Sequence, residues 1–320
     1  MTETEVLRRF NRAWSQRIGV LEESYLGQGR SLGASRLLFE IGNDGAGVLD
    51  LRRRLGLDSG YLSRLLRGLE GEALVDVRPD AGDRRRRVVV PTAKGRRAIE
   101  RLEQRSEERA SALVAPLGAS QRRRLEDALA TADRLIRAAT CEITAVDAAS
   151  AEALAAVGRY ADELAQRFPA GFEPGDLAEE APAMNAPDGR FLVARVEGTA
   201  AACGGVRRLT PTRAEIKRMW VDADWRGCGL GGRMLTALED AARDLGYRDV
   251  YLDTNGTLTE AIEMYGRAGY HRIRRYNDNP YAEAWFAKRL TTPSWPGGAP
   301  GRESGSPGRS PSRSGRSPGP

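Results

Sequence analysis

One histidine, His271, and three cysteines, Cys141, Cys203 and Cys228, are all that 320 residues offer to a metal or a disulfide. The cysteines form no CxxC pair, so neither a zinc site nor a disulfide framework has ligands to stand on. A single histidine also leaves almost no room for a Ser-His triad. Apolar runs of 18 or more residues are missing, and the opening MTETEVLRRF turns from acidic to basic with no apolar core. Neither a membrane partner nor secretion is therefore indicated, and the cytoplasm is the expected compartment. What is present, 41% apolar and 29% charged residues, is the composition of a soluble globular protein. The length calls for more than one core.

The net charge of +6 is unevenly spread. Residues 1–140 carry 27 Lys/Arg against 20 Asp/Glu, residues 141–290 carry 19 against 23, and the rest carry 4 against 1. A basic first part hints at a polyanionic partner, but only beside a motif. Residues 291–320 are dominated by Pro, Gly, Ser and Arg, cannot bury a core, and are expected to be a disordered tail. Residues 4–27 and 96–138 read as long helices rich in Arg and Glu.

Between those helices, GVLDLRRRLGLDSGYLSRLLRGLEGEALV reads as two short helices joined at GLDSG. In the second, Leu62, Leu65, Leu66 and Leu69 make one apolar face, Asp58 is placed to cap the start, and Gly60, Arg64 and Arg67 lie opposite the leucines. ALVDVRP and RRVVVPT then read as a hairpin whose tip carries Arg84, Arg85 and Arg86. Helix, helix and basic hairpin outline a winged helix-turn-helix. Its polar face, with Ser59, Tyr61, Ser63, Arg64 and Arg67, suits a major groove of double-stranded DNA, and the three hairpin arginines suit the flanking backbone. The plainer alternative is a protein-binding module with a solvated arginine face. The stretch from Leu57 to Glu103 resembles the DNA-binding core of the MarR family of bacterial regulators. That resemblance implies a homodimer built by the N-terminal helix and the helices after the wing, a recognition helix over 58–70, and a D-x-R wing pattern at Asp83 and Arg85. Pro91 and Thr92 stand where the family usually has Leu-Thr.

From Glu142 the texture changes to a short strand, an Ala/Leu-rich helix, and RFLVARVEGTAAACGGVRRL, with a hairpin turn at Glu197-Gly198. The strand EIKRMWV then leads through RGCGLGG into a helix whose buried face is Leu230, Met234, Leu235, Leu238, Ala241, Ala242 and Leu245. Glycines at a strand-to-helix junction lay bare unpaired amides at the positive end of a dipole, which is an anion site, unless they serve only a tight turn. No Lys-Ser or Lys-Thr follows them, so the loop is not a Walker A, and the preceding antiparallel hairpin does not suit a dinucleotide fold.

The spacing R-x-x-G-x-G at Arg226, Gly229 and Gly231, with AIEMYGRAGY downstream, resembles the GNAT acetyltransferases over residues 142–290. The resemblance implies an acetyl-coenzyme A co-substrate and no metal. It places the pyrophosphate against Arg226, Gly227, Cys228, Gly229, Leu230, Gly231 and Gly232, and the pantetheine arm against the backbones of Met219 and Val221. Asn255 would hold that arm or its loop, Tyr265 would protonate the departing thiolate from an ordinary phenol, and Glu215 would serve as general base. The expected architecture is thus multi-domain: an α-rich MarR-like winged helix-turn-helix domain over 1–140, then an α/β GNAT domain over 141–290 with a mixed, mostly antiparallel sheet. The expected function is that of a regulator which also acetylates a small-molecule or protein amine. The alternative is a regulator whose GNAT domain only senses acetyl-coenzyme A.

Overall fold

The protein is described by a computed structural model covering residues 2–168, 171–173, 175 and 177–291. The expected tail lies, from residue 292 on, outside the described residues. The chain divides into two compact units, one up to Arg137 and one from Ala138.

The first unit contains α1 (Glu3–Arg17), α2 (Leu32–Ile41), β1 (Ala46–Gly47), α3 (Val48–Leu55), α4 (Ser59–Gly71), β2 (Val75–Pro79), β3 (Arg87–Pro91), α5 (Ala93–Val114) and most of α6 (Ala119–Thr140). The strands form an antiparallel sheet in the order β1-β3-β2. Leu62, Leu66 and Leu69 of α4 are buried with Leu37, Leu38 and Ile41 of α2 and Ile99 of α5, so the leucine face read from the sequence is the one that packs. Leu65 is only partly buried.

Two helices expected to be long are interrupted. α1 stops at Arg17, and Gly19 follows in the left-handed region (φ +76), a conformation that ends a helix. The helix expected over 96–138 is two, α5 and α6. Between them lies Pro116, which lacks an amide donor and collides with the preceding turn. At the Pro91-Thr92 departure, Pro91 closes the β2–β3 ladder opposite Val75. Thr92 caps α5, accepting from the Gly95 amide at 3.0 Å while its hydroxyl donates to the Ala73 carbonyl at 2.8 Å.

The second unit runs β4 (Glu142–Val146), α7 (Ala151–Arg167), α8 (Leu177–Glu180), β5 (Arg190–Val196), β6 (Thr199–Thr210), β7 (Arg213–Val221), α9 (Leu230–Asp244), β8 (Asp249–Thr254), α10 (Thr259–Arg267), β9 (His271–Ile273) and β10 (Ala284–Arg289). Seven strands lie in the order β4-β5-β6-β7-β8-β10-β9. Every pairing is antiparallel except β7 with β8. Glu197 (φ 52) and Gly198 (φ 82) form the two-residue turn between β5 and β6, both in the left-handed region that such hairpins need. Alternation along β5 serves two cores. Phe191 and Val193 pack with Ala153, Ala156 and Val157 of α7, while Leu192 and Ala194 pack with Leu230, Met234 and Leu238 of α9.

Candidate functional site

β7 and β8 pair over only three positions, Arg213 to Glu215 against Asp249 to Tyr251. Beyond them the strands part. β7 also carries a bulge at Arg218, a non-glycine residue at φ 55 where the register with β6 shifts, and a bulge bends and re-aims a strand. Two cavities open around this fork, of about 920 Å³ and about 610 Å³. Met219 and Tyr265 line both.

The larger cavity holds the glycine loop. Gly227 (φ +73) and Gly229 (φ +80) need left-handed backbone, and Gly229 starts α9 with no side chain capping it. The first intrahelical bond runs from the Arg233 amide to the Gly229 carbonyl at 3.2 Å, so the amides of Leu230, Gly231 and Gly232 belong to the unpaired first turn. A Cβ on Gly231 would stand 3.1 Å from Met264 Sδ and 3.7 Å from Val221 Cγ2, inside the slot between α9, α10 and β7. Glycine keeps that slot open. Gly227, Gly229 and Gly232 face open space. Such a glycine-lined, uncapped helix start fits a diphosphate. Leu230 is fully buried and offers only its backbone, and Cys228 Sγ lies 3.7 Å from the Arg226 carbonyl.

Arg226 ties the loop down. Its Nη2 reaches Glu163 of α7 at 2.5 Å, and its Nε donates to the Val221 carbonyl at 3.1 Å. Glu163 also accepts from Trp220 Nε1 at 2.9 Å and pairs with Arg167 at 3.3 Å. Burial works to raise the Glu163 carboxyl, yet the bonds from Arg226 and Trp220 hold it below the usual carboxylate range.

Tyr265 is 6% exposed, with its ring against Tyr270 and Phe286 at 5.9 Å each. Its phenol is not the ordinary one expected: burial, then the nearby Tyr160 and Asp253, push its pKa up. Glu215, at 1% exposure, accepts from Arg207 Nε at 2.7 Å, Tyr276 Oη at 2.8 Å and Asn277 Nδ2 at 3.1 Å, with Lys217 Nζ at 3.5 Å. Unlike Asp253, it does not line the smaller cavity. Asp253 does line it, with Glu173, Glu180 and Asp278, and is paired with Lys217 at 3.0 Å and held by Asn277 and Asn279. Burial and the Glu215 charge push Tyr276 up, so it stays a donor. Asn255 lines the smaller cavity, not the glycine-loop one. Its amide donates to the Tyr281 carbonyl at 2.8 Å and accepts from the Thr257 amide at 2.9 Å, which fixes the loop after β8.

The loop, Tyr265 and the aromatic and Asn-rich stretch holding Tyr276 and Asn277 stand out in the sequence as candidates, whereas Lys217 and Asp253 do not. The available signal was charge at strand period: Glu215 and Lys217 in one strand, Asp253 in the next, each at a two-residue step that shares a face.

In the first unit Asp58 caps α4, accepting from the Tyr61 amide at 2.9 Å. Ser59, Ser63, Arg64 and Arg67 are exposed on α4, and Arg84, Arg85 and Arg86 are exposed at the hairpin tip. The Arg64 guanidinium stacks over the Tyr61 ring, 5.7 Å from its centroid. Tyr61 itself is half-buried, its hydroxyl 2.6 Å from where a Cβ on Gly33 would stand, and the Ser63 hydroxyl donates to the Ser59 carbonyl at 2.7 Å. These two side chains are thus partly spent within the fold. The hairpin tip is shaped by Asp80, which accepts from the Asp83 and Gly82 amides and is held below the usual carboxylate range by those bonds.

Residues 158–270 match the model of the acetyltransferase (GNAT) family, and residues 28–86 match that of the MarR family. An IAA acetyltransferase of Azospirillum brasilense is 39% identical over 85 residues, 26% of this chain and 56% of that protein. The N-alpha-acetyltransferase RimI of Mycobacterium tuberculosis is 31% identical over 137 residues, 41% of this chain and 84% of that protein. A solved GNAT-family acetyltransferase from Staphylococcus aureus Mu50 superposes with a TM-score of 0.42 at 16% identity, over 47% of this chain and 100% of that one. The chain spans between 54% and 66% of the length of three curated relatives that it matches.

Proposed function

We propose, since this chain belongs to the acetyltransferase (GNAT) family and carries a MarR-family domain ahead of that one, that it is a cytoplasmic DNA-binding regulator which also moves an acetyl group from acetyl-coenzyme A to an amine. The observation that carries the transferase half is the uncapped, glycine-lined start of α9 opening onto the same fork that Tyr265 lines. Acetyl-coenzyme A, when bound, supplies the activated thioester. The amides of Cys228 to Gly232 receive its diphosphate, the Met219 and Val221 backbones receive its arm as an added strand, and the Val221 amide polarises the thioester carbonyl. Arg226 serves as the tether that presents the loop.

The acceptor amine gives up one proton and closes a C–N bond to the carbonyl carbon as the C–S bond breaks, and the electron pair leaves on sulfur, which takes a proton. Tyr265 stays protonated because its pKa is raised, and it delivers that proton while the thiolate departs. Asp253, the wall carboxylate whose charge helps to raise the Tyr265 pKa, takes the proton from the amine directly or through water. Glu215 holds Arg207, Tyr276 and Asn277 in place beneath it, as a positioning residue and not the base.

The first unit supports DNA binding through its exposed α4 arginines and hairpin arginines. Its α1 leaves Val6, Leu7, Phe10 and Trp14 exposed, as α6 leaves Leu129, Leu135 and Ile136. These apolar faces suit a second copy of the chain. Screening amines and lysine peptides for thiol release from acetyl-coenzyme A tests the transferase reading. Tight cofactor binding with no release on any acceptor would instead make the domain a sensor of acetyl-coenzyme A.

A further inference from the structure

Aromatic residues are scarce in this chain, 6% of the total, yet four of them build one wall of the smaller cavity: Tyr160, Phe168, Phe172 and Tyr281. Phe172 is the centre of the cluster, with ring centroids 4.8 Å from Tyr281, 5.8 Å from Phe168 and 6.2 Å from Tyr160. Phe172, Tyr160 and Tyr281 are each only half-buried, so their ring faces are not consumed by packing among themselves. A core cluster would have closed over them.

The polar side of the same cavity carries both signs, with four carboxylates, Glu173, Glu180, Asp253 and Asp278, against three cations. Its three cations are each held by a carboxylate: Arg207 by Glu215 at 2.7 Å, Lys217 by Asp253 at 3.0 Å and Arg218 by Glu180 at 2.7 Å. The balance favours a cation and disfavours an anion. An arriving ammonium is drawn to this side, and a flat apolar body is drawn to the rings opposite, by stacking and by the attraction of a cation to a ring face.

We infer that the acceptor is a primary amine carried by a short chain on an aromatic ring, with its ring against Phe172 and its nitrogen beside Asp253 and Tyr265. This rests on the acetyl-transfer reading, and it goes further by choosing among amines. The transfer itself is the one balanced above, with the nitrogen losing one proton as the C–N bond forms.

The test separates the two readings. In calorimetry on the full chain without acetyl-coenzyme A, phenethylamine and tryptamine should bind about 10-fold or more tighter than hexylamine, and 2-phenylethanol, which lacks the ammonium, should bind weakly. Phe172→Ala should erase the preference for the ring, weakening the arylalkylamines about 10-fold more than it weakens hexylamine, and Phe172→Leu should erase only part of it. Should Phe172→Ala fail to fold, the leucine variant and the ligand series still decide. The same ordering is expected for kcat/KM in thiol release. Turnover of hexylamine or lysine peptides equal to or above that of the arylalkylamines, indifferent to Phe172→Ala, would overturn the inference and leave the transferase standing. Ring-selective binding with no turnover of any amine would uphold the pocket and remove the transferase.

Discussion

Tyr265 has its ring in the core and lines both cavities, so one substitution separates its packing from its chemistry. Tyr265→Phe keeps the ring and should lower kcat by about 10²-fold while leaving acetyl-coenzyme A affinity nearly unchanged by calorimetry. Unchanged turnover would remove it as the proton donor. The raised pKa has a sign that kinetics can read: a phenol shifted up remains protonated beyond its ordinary value of about 10. The kcat/KM profile should therefore climb with pH as the acceptor amine deprotonates, with no falling limb below about pH 10. Glu215 calls for a different measurement, because it is buried among Arg207, Lys217, Tyr276 and Asn277. Glu215→Gln should cost about 2 kcal/mol, less than a wholly buried pair because Arg207 is partly exposed. A melt should register this as roughly 5 °C, whereas a dedicated base would lose kcat with no change in Tm. At this scale Tyr265 and the glycines are legible in the sequence as candidates, because their spacing is local. Asp253 and Lys217 stayed hidden because their meaning comes from strands brought together across α9.

Elements with local causes were legible and those with distant causes were not. Asp58 caps α4, and Glu197-Gly198 turns β5 into β6, both as short-range chemistry dictates. The break between α5 and α6 was also local, since Pro116 stands in the gap, but the leucine periodicity on either side of it masked the interruption. The parting of β7 from β8 and the left-handed Arg218 have no mark in the sequence, because they depend on how far a parallel pairing extends and where a third strand shifts register. The start of α9 gives the sharpest test at this scale. Gly231→Val places its side chain in the slot bounded by Val221 and Met264 and should weaken acetyl-coenzyme A binding by about 10-fold or more. Gly232→Ala adds a methyl to open space and should leave affinity within about 2-fold, while helix propensity raises stability by about 0.5–1 kcal/mol. Calorimetry and melts on both variants check this. Equal losses would mean that the loop acts by flexibility and not by an open slot.

Over the whole molecule, the excess of positive charge sits in the first 140 residues, 27 Lys/Arg against 20 Asp/Glu, and the arginines of α4 and the hairpin tip are exposed there. The charge asymmetry and the change of texture near Glu142 were visible in the sequence, since composition needs no tertiary contact. The exposed apolar residues of α1 were not, because only the fold shows that Phe10 and Trp14 stay 48% and 37% exposed, stacking on each other at 6.0 Å. If those faces join two copies about a two-fold axis, two α4 helices should select a nearly palindromic DNA site with half-sites about 10 base pairs apart. Arg85→Ala should then remove a phosphate contact and weaken binding to every sequence, flattening the slope of log affinity against log salt by roughly one. Arg64→Ala should instead relax preference at one position in each half-site, its guanidinium being oriented by the Tyr61 ring. Acetyl transfer to a small amine should be unaffected by either change, because the residues assigned to it all lie beyond Ala138. Selection from random duplexes, read with salt titrations of the two variants, decides the matter. Enrichment without two-fold symmetry, or none at low salt, would leave the arginines as a solvated face and the first unit as a protein-binding module.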